Sequence, residues 1–240
     1  MGLRSGYVDV TRVARELVRP TGLLDALERS PSPAARYVRS LFSVYDAEEL
    51  ARLDLPWWSY RAIRAVDRFL ELRPGATVFE FGSGASTPWL ARRAATVHTV
   101  EHDTTFVPVV ERILEGFDNV ELHVVGAPPV SEVPGPHVRS EREGSEHLDF
   151  SEYVATIDRV GGTYDLIVID GRARVESLRR ALPHVAADGA ILFDDVERSR
   201  YAPALSMPGT CAHVMRGITP SLPFPTSTAI LRPDPPVPSR

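Results

Sequence analysis

The chain has 240 residues, 43% hydrophobic and 25% charged, with a formal net charge of −5. That length suits one α/β domain with an N-terminal extension, and the apolar fraction excludes a chain disordered throughout, because it suffices for a sizeable core. All 27 basic residues are arginine, and the acidic balance argues against a protein whose main work is gripping phosphate backbones.

The single cysteine, Cys211, excludes an intrachain disulfide and a cysteine-based zinc site. No stretch reaches the roughly 18–20 apolar residues of a membrane span. The N-terminus lacks a signal-peptide apolar region, and Gly6 stands where myristoylation needs Ser or Thr. The expectation is a cytoplasmic chain with no membrane partner.

Residues 1–72 read as a helical cap. Val10, Val13, Leu17 and Val18 recur at helix spacing, with Asp9 or Thr11 as the cap. Leu23, Leu24 and Leu27 mark a short second helix, and Pro33 opens a third through Tyr37, Val38, Leu41 and Phe42. A further helix carries Ile63, Val66, Phe69 and Leu70 on one face until Pro74-Gly75 stops it.

Residues 73–232 alternate strands with helices. Strands are predicted at Thr77–Phe81, Val97–Glu101, Val120–Val125, Asp165–Asp170 and Gly189–Phe193. Helices fall over about Ser86–Ala95, up to Glu115, over Ser151–Val160 and over Val175–Ala187. Such alternation predicts βαβ units and a parallel sheet, with the continuously apolar 165–170 run at its centre. Cys211–Ile218 and Ser227–Leu231 follow without an intervening helix, which predicts an antiparallel C-terminal hairpin and seven strands in all. Residues 126–150, rich in proline and charge, form a long loop, and residues 233–240 a mobile proline-rich tail.

The chemistry concentrates between the first strand and its helix, at Glu80-Phe81-Gly82-Ser83-Gly84. Glycines there allow a tight turn and close backbone approach to a ligand. Glu101 ends the next strand, 17 residues after Gly84, where a carboxylate can take the hydroxyls of a ribose. A dinucleotide site wants a third glycine, but the run Gly82-Ser83-Gly84-Ala85-Ser86-Thr87 has threonine there. Glu80 just before the turn would repel a pyrophosphate and attract a cationic amine. Both departures favour S-adenosylmethionine (SAM) over a nicotinamide cofactor.

The stretch Val78–Thr87, then Val100-Glu101-His102-Asp103, resembles the cofactor motifs of class I SAM-dependent methyltransferases. Asp165–Gly171 and Gly189–Asp195 look like the fourth and fifth strands of that Rossmann-like fold, and the resemblance covers about residues 57–232. It implies that Glu80 orients the methionine amine, directly or through water, that Gly82 and Gly84 leave room for the cofactor, and that Ser83 between them belongs to the cofactor-binding set. Ser86 and Thr87 would lie near its carboxylate, with Glu101 on the ribose and His102 on the adenine. Asp170 would close the site near the reacting methyl, and Asp170 and Asp194 are the carboxylates assigned to catalysis.

Some small-molecule O-methyltransferases hold Mg²⁺ with an acid after strand four and an acidic pair after strand five. Asp170, Asp194 and Asp195 match that spacing loosely, and the opposing reading has Asp170 serve the cofactor and Asp194-Asp195 cap a helix. No metal ligand is assigned. Arg172 and Arg174 suit either a substrate carboxylate or neutralisation of these aspartates. Trp57, Trp58 and Tyr60 suit either an aromatic wall or a staple for the cap. His137 and His147, in the long loop, suit either a general base or a solvated loop surface.

The resulting expectation is methyl transfer from SAM to oxygen or nitrogen of a small molecule, with secondary metabolism as one setting. Acidic charge argues against tRNA or rRNA acceptors. A non-catalytic SAM-binding regulator, a peptide or protein methyltransferase and a nicotinamide-dependent oxidoreductase stand as alternatives. The sequence is silent on oligomeric state.

Overall fold

The structure, a computed structural model, describes residues 3–234. Residues 235–240, most of the tail expected to be mobile, lie outside the described residues, while Pro233 closes the last strand.

Five helices precede the sheet: α1 (Leu3–Val18), α2 (Leu23–Arg29), α3 (Pro33–Ser40), α4 (Ala47–Arg52) and α5 (Tyr60–Glu71). Local chemistry sets their starts. Pro33 opens α3, the Asp46 carboxylate accepts the Glu49 N–H of α4, and the Ser59 hydroxyl accepts the Ala62 N–H of α5. Helix α1 begins at Leu3, so Asp9 and Thr11 fall inside it instead of capping it. Its Val10, Val13 and Leu17 are exposed. Ion pairs fasten the cap: Arg15 lies 2.6 Å from Asp46, and Arg39 lies 2.6 Å from Glu49.

The sheet and its connections run β1 (Thr77–Phe81), α6 (Ser86–Ala91), β2 (Thr96–Glu101), α7 (Val107–Ile113), β3 (Val120–Val124), α8 (Ser151–Val154), α9 (Thr156–Val160), β4 (Tyr164–Ile169), α10 (Arg174–Ala181), β5 (Val185–Phe193), α11 (Ala202–Leu205), β6 (Thr210–Ile218) and β7 (Pro225–Pro233). The strand order is β3-β2-β1-β4-β5-β7-β6. The first five strands pair in parallel, and β7 inserts antiparallel between β5 and β6. This is the expected seven-stranded, mostly parallel sheet with an antiparallel C-terminal hairpin.

Strand alternation sends Phe79, Phe81, Ile167, Ile169, Ile191 and Phe193 into one core with Phe150, Tyr153 and Leu178. Val78, Leu166, Val168 and Leu192 face the other way, onto Ile63, Val66 and Leu70 of α5 and onto Trp58 and Trp89. Both faces are covered, which is why these strands read as apolar throughout.

Several boundaries differ from the sequence reading. The helix expected to reach Ala187 stops at Ala181, because Pro183 lacks the N–H a continuing helix needs, and Val185–Ala187 join β5. Helix α6 stops at Ala91, and the Ala95 N–H bonds the Ala76 carbonyl at 2.8 Å, drawing the chain into the sheet. The 126–150 loop folds back on itself: Phe150 N–H donates to the Val138 carbonyl at 2.7 Å, Asp149 N–H donates to the Pro128 carbonyl, and Phe150 is buried. Among the described residues no helix is long and apolar enough to cross a membrane.

Candidate functional site

The strand order reverses between β1 and β4, which opens a crevice at their carboxyl ends where ligands of such sheets sit. The two loop glycines answer different constraints there. Gly82 has φ +95°, and a Cβ on it would come within 2.5 Å of the Gly171 Cα, so the β1 and β4 turns touch only because both residues are glycine. Gly84 has no atom within 4 Å of where its Cβ would lie. Room for a ligand is therefore at Gly84, while Gly82 is required by packing.

Glu80 is fully buried beneath this loop, where three hydroxyls of the chain bond its carboxylate. Ser86 donates to Oε1 at 2.5 Å, and Thr87 and Thr99 donate to Oε2 at 2.6 and 2.7 Å. Thr99 reaches it because β1 and β2 pair Glu80 with Thr99. Burial pushes the Glu80 carboxyl up to about 7 against the pull of these donors. Neither Glu80 nor Thr87 lines the cavity, whereas Ser86 does. The structure thus sets Glu80 one layer behind the ligand space, tying strand, loop and helix together.

Glu101 closes β2 and lines the cavity. Its Oε1 accepts the His102 and Asp103 N–H groups at 2.8 Å each, and its Oε2 accepts the Ser83 N–H at 3.1 Å. A carboxylate has about four acceptor sites, so one is left, on Oε2, for a ligand hydroxyl. His102 lies beside it, its ring against Phe150 and Tyr153 at 5.4 and 5.8 Å. Of the expected cofactor residues, Gly82, Ser83, Gly84, Ser86, Glu101, His102 and Asp170 all border one cavity of about 600 Å³, a size usual for small-ligand sites.

Asp170, Asp194 and Asp195 meet over β4 and β5, each offering a carboxylate oxygen within 4.8 Å of the others. Arg174 stands among them, 2.7 Å from the Asp170 carboxylate, 2.8 Å from the Asp194 carbonyl and 3.3 Å from Asp195. Arg198 adds a second pair to Asp195 at 2.9 Å. Burial raises the Asp170 carboxyl, opposed by Arg174, and raises Asp194 further, with the charges of Asp170 and Asp195 adding to it. A cation here would compete with both guanidinium groups for the same oxygens. Arg174 thus takes the neutralising role, while Arg172 makes no such pair.

The aromatic trio divides. Trp57 lines the cavity, its indole N–H donating to Ser221 at 2.6 Å and its ring 5.9 Å from Tyr45. Trp58 is fully buried against Trp89, and Tyr60 packs on Tyr37, so these two staple the cap. His137 sits near Asp149, and neither it nor His147 lines the cavity.

Sequence reasoning missed Tyr45, Arg142, Arg198, Arg200, Leu222 and Thr226, which all line the cavity from remote segments. One signal marks the region only once backbone angles are known. Tyr45, Ala173, Asp195 and Ser221 hold positive φ, at 51°, 47°, 63° and 64°, and all line or border the cavity. Such conformations cost about 1–3 kcal/mol each and gather at functional sites.

No protein-family model and no curated protein matches the sequence. Solved structures do. A Bacillus cereus O-methyltransferase in complex with S-adenosylhomocysteine (SAH) is 15% identical, with 95% of this chain and 100% of that one covered and a TM-score of 0.56. The O-methyltransferase TomG of Streptomyces achromogenes, involved in tomaymycin synthesis and in complex with SAM, is 18% identical over 81% of this chain and 89% of that one, with a TM-score of 0.55. An rRNA methylase of Streptococcus thermophilus is 15% identical over 71% and 95%, with a TM-score of 0.50. At these identities the likeness is one of fold, and the fold is that of class I SAM-dependent methyltransferases.

Proposed function

We propose that this chain transfers a methyl group from SAM to an oxygen or nitrogen of a small molecule. The observation that carries the reading is Glu101 at the end of β2, facing one cavity with the open backbone of Gly84 at the β1–β4 reversal.

The residues present fit the cofactor. Gly84 leaves space that any side chain would take, and Glu101 keeps one free acceptor for a ribose hydroxyl. His102 offers a ring edge for the adenine. Ser86 faces the cavity while its hydroxyl proton is held by Glu80, so its oxygen stays oriented as an acceptor for the methionine amine. Glu80 then acts on the cofactor through Ser86 and Thr87 as a positioning residue. SAM supplies an electrophilic methyl on a sulfonium, and the protein's main task is aligning the acceptor with it.

Asp170 is the base of this reading. It lies in the cavity wall with a carboxyl raised by burial against the pull of Arg174, which makes it a better proton acceptor than an exposed carboxylate. Burial and the neighbouring Asp170 and Asp195 charges push the Asp194 carboxyl towards its neutral form, and the Thr228 hydroxyl, donating to its Oδ1 at 2.5 Å, fixes it at the cavity wall beside Asp170. Tyr45 and Trp57 from the cap and Arg142 from the 126–150 loop complete the acceptor side. A cap that contributes cavity walls supports a small acceptor, and the net charge of −5 opposes a nucleic-acid one. The O-methyltransferase neighbours favour oxygen, and TomG favours secondary metabolism.

Calorimetric titration of SAH tests the reading. Binding at one site per chain, weakened roughly tenfold or more in Glu101→Gln, is expected, since a hydrogen bond to a charged group is worth about 1.5–3 kcal/mol. A folded wild-type protein that binds no SAH would overturn it.

A further inference from the structure

The cavity wall holds five arginines, and only two are neutralised. Arg174 and Arg198 are spent on Asp170 and Asp195. Arg142, Arg172 and Arg200 form no ion pair, and no side-chain nitrogen of theirs donates a hydrogen bond, among the described residues. The Nε atoms of Arg172 and Arg200 are buried with no hydrogen-bond partner. Burial, and then the neighbouring Arg142 charge, make the Arg172 guanidinium costly where it stands.

These three residues stand over neighbouring strand ends. Arg172 follows β4, Arg200 follows β5, and Arg142 belongs to a segment that crosses the start of α10. That segment is anchored by the Ala173 N–H on Ser140 and the Val175 N–H on Glu141. The carboxylates of the cavity offset them little: the Glu101 charge favours the Arg172 guanidinium, but less than burial and Arg142 oppose it. Glu101 is engaged by backbone N–H groups, Asp103 by Thr105, and Asp170 and Asp195 by Arg174 and Arg198. Asp194 is held toward its neutral form by burial, which leaves the exposed Glu143 as the one unengaged acid. Arg200 has the Tyr201 ring 5.1 Å from its guanidinium carbon, a contact that uses none of its N–H donors. Partly buried guanidinium groups such as Arg172 and Arg200 are expensive without an anion, and their planar fork of donors is built to meet a carboxylate or phosphate.

We infer that the acceptor carries an anionic group, a carboxylate or phosphate, which Arg172 and Arg200 bind at the β4–β5 side of the cavity. This inference rests on the methyl-transfer reading for the word acceptor, and on the arginines alone for the anion. It places the charged end of the acceptor beyond Asp170, with Arg142 at the rim drawing anions in. A substrate of this kind comes from a class of reaction that leaves a free acid or phosphate ester next to a nucleophilic oxygen or nitrogen.

The test uses the full chain and simple probes. Inorganic phosphate, 4-hydroxybenzoate and neutral 4-hydroxybenzamide are titrated into wild type, Arg172→Gln and Arg200→Gln, each with and without saturating SAH. The expected result is that at least one anion binds, that the amide does not, and that each variant loses roughly tenfold or more of the anion affinity. SAH affinity, kept within about twofold, would show the variants intact. Equal binding of benzoate and benzamide, no anion binding, or anion binding indifferent to both variants would overturn the inference. A cofactor carboxylate is the rival anion, so 5′-methylthioadenosine, which lacks it, is titrated too. Variants that lose SAH affinity while keeping methylthioadenosine affinity would assign the arginines to the cofactor and refute the acceptor assignment. Wild type that binds the anions but no SAH would sink the methyl-transfer reading and leave the anion site standing.

Discussion

Replacing Glu80 by glutamine probes the layer behind the cavity. The carboxyl is fully buried, and burial moves it from 4.5 to about 7 in the folded chain. Between these values the folded state holds a proton that the unfolded state has released. Stability therefore falls as pH rises through this window: it is full below pH 4.5 and lost as pH passes 7. A shift of this size corresponds to about 3 kcal/mol. Glu80→Gln removes the titration but keeps the shape, and rotation of the Ser86 and Thr87 hydroxyls lets them bond an amide. Asp170 and Asp194 are also raised but are present in both proteins, so the difference between wild type and variant reports Glu80 together with the Asp170 charge that helps to raise it. Urea unfolding at pH 5, 6, 7 and 8 is the assay. The variant should gain about 2.5 kcal/mol relative to wild type between pH 5 and pH 8, the part of the full effect that this window spans. A difference between the two that stays constant across this range would refute the reasoning, because it would mean that Glu80 ionises alike in both states.

The glycine pair should separate packing from ligand space. Gly82→Ala, at φ +95° with its Cβ 2.5 Å from Gly171, should cost about 2–4 kcal/mol and lower the melting temperature. Gly84→Ala should melt within a few degrees of wild type but bind SAH more weakly, as calorimetry would show; the reverse order would be fatal to this division. Arg174→Leu strips the cation from between Asp170 and Asp195 and should destabilise by about 3–5 kcal/mol in chemical denaturation. A neutral effect would mean that the aspartates simply protonate. Trp57→Ala, at the cavity wall, should leave SAH binding intact, whereas Trp58→Ala, fully buried against Trp89, should cost about 3–5 kcal/mol. Equal melting temperatures for the two would contradict the division of the aromatic trio.

Much of the architecture was legible along the chain. Runs such as Val78–Phe81 and Leu166–Ile169 announce strands through β-rich, apolar composition, and alternation with helical segments announces a parallel sheet. The glycine turn and Glu101 were legible too, because a strand end, a turn and a helix start are neighbours in sequence. These are short-range patterns, with periods of two or about 3.6 residues, and steric and hydrogen-bonding rules act on them locally. The helix expected to reach Ala187 shows the limit of that logic, since periodicity continued past a proline that ended it.

What lay beyond the sequence concerns convergence. The Thr99 hydroxyl meets Glu80 only through the β1–β2 register, and the wall formed by Tyr45, Trp57, Arg142, Arg200 and Leu222 draws on five remote segments. Whether an arginine is spent or free is likewise a property of its neighbours: Arg172 and Arg174 are alike in sequence, yet one holds two aspartates and the other none. Composition and spacing declare which groups the chain owns and where it bends. Which of them are buried, paired or left facing a ligand follows from long-range packing, where desolvation and pairing are settled together and no local pattern records the outcome.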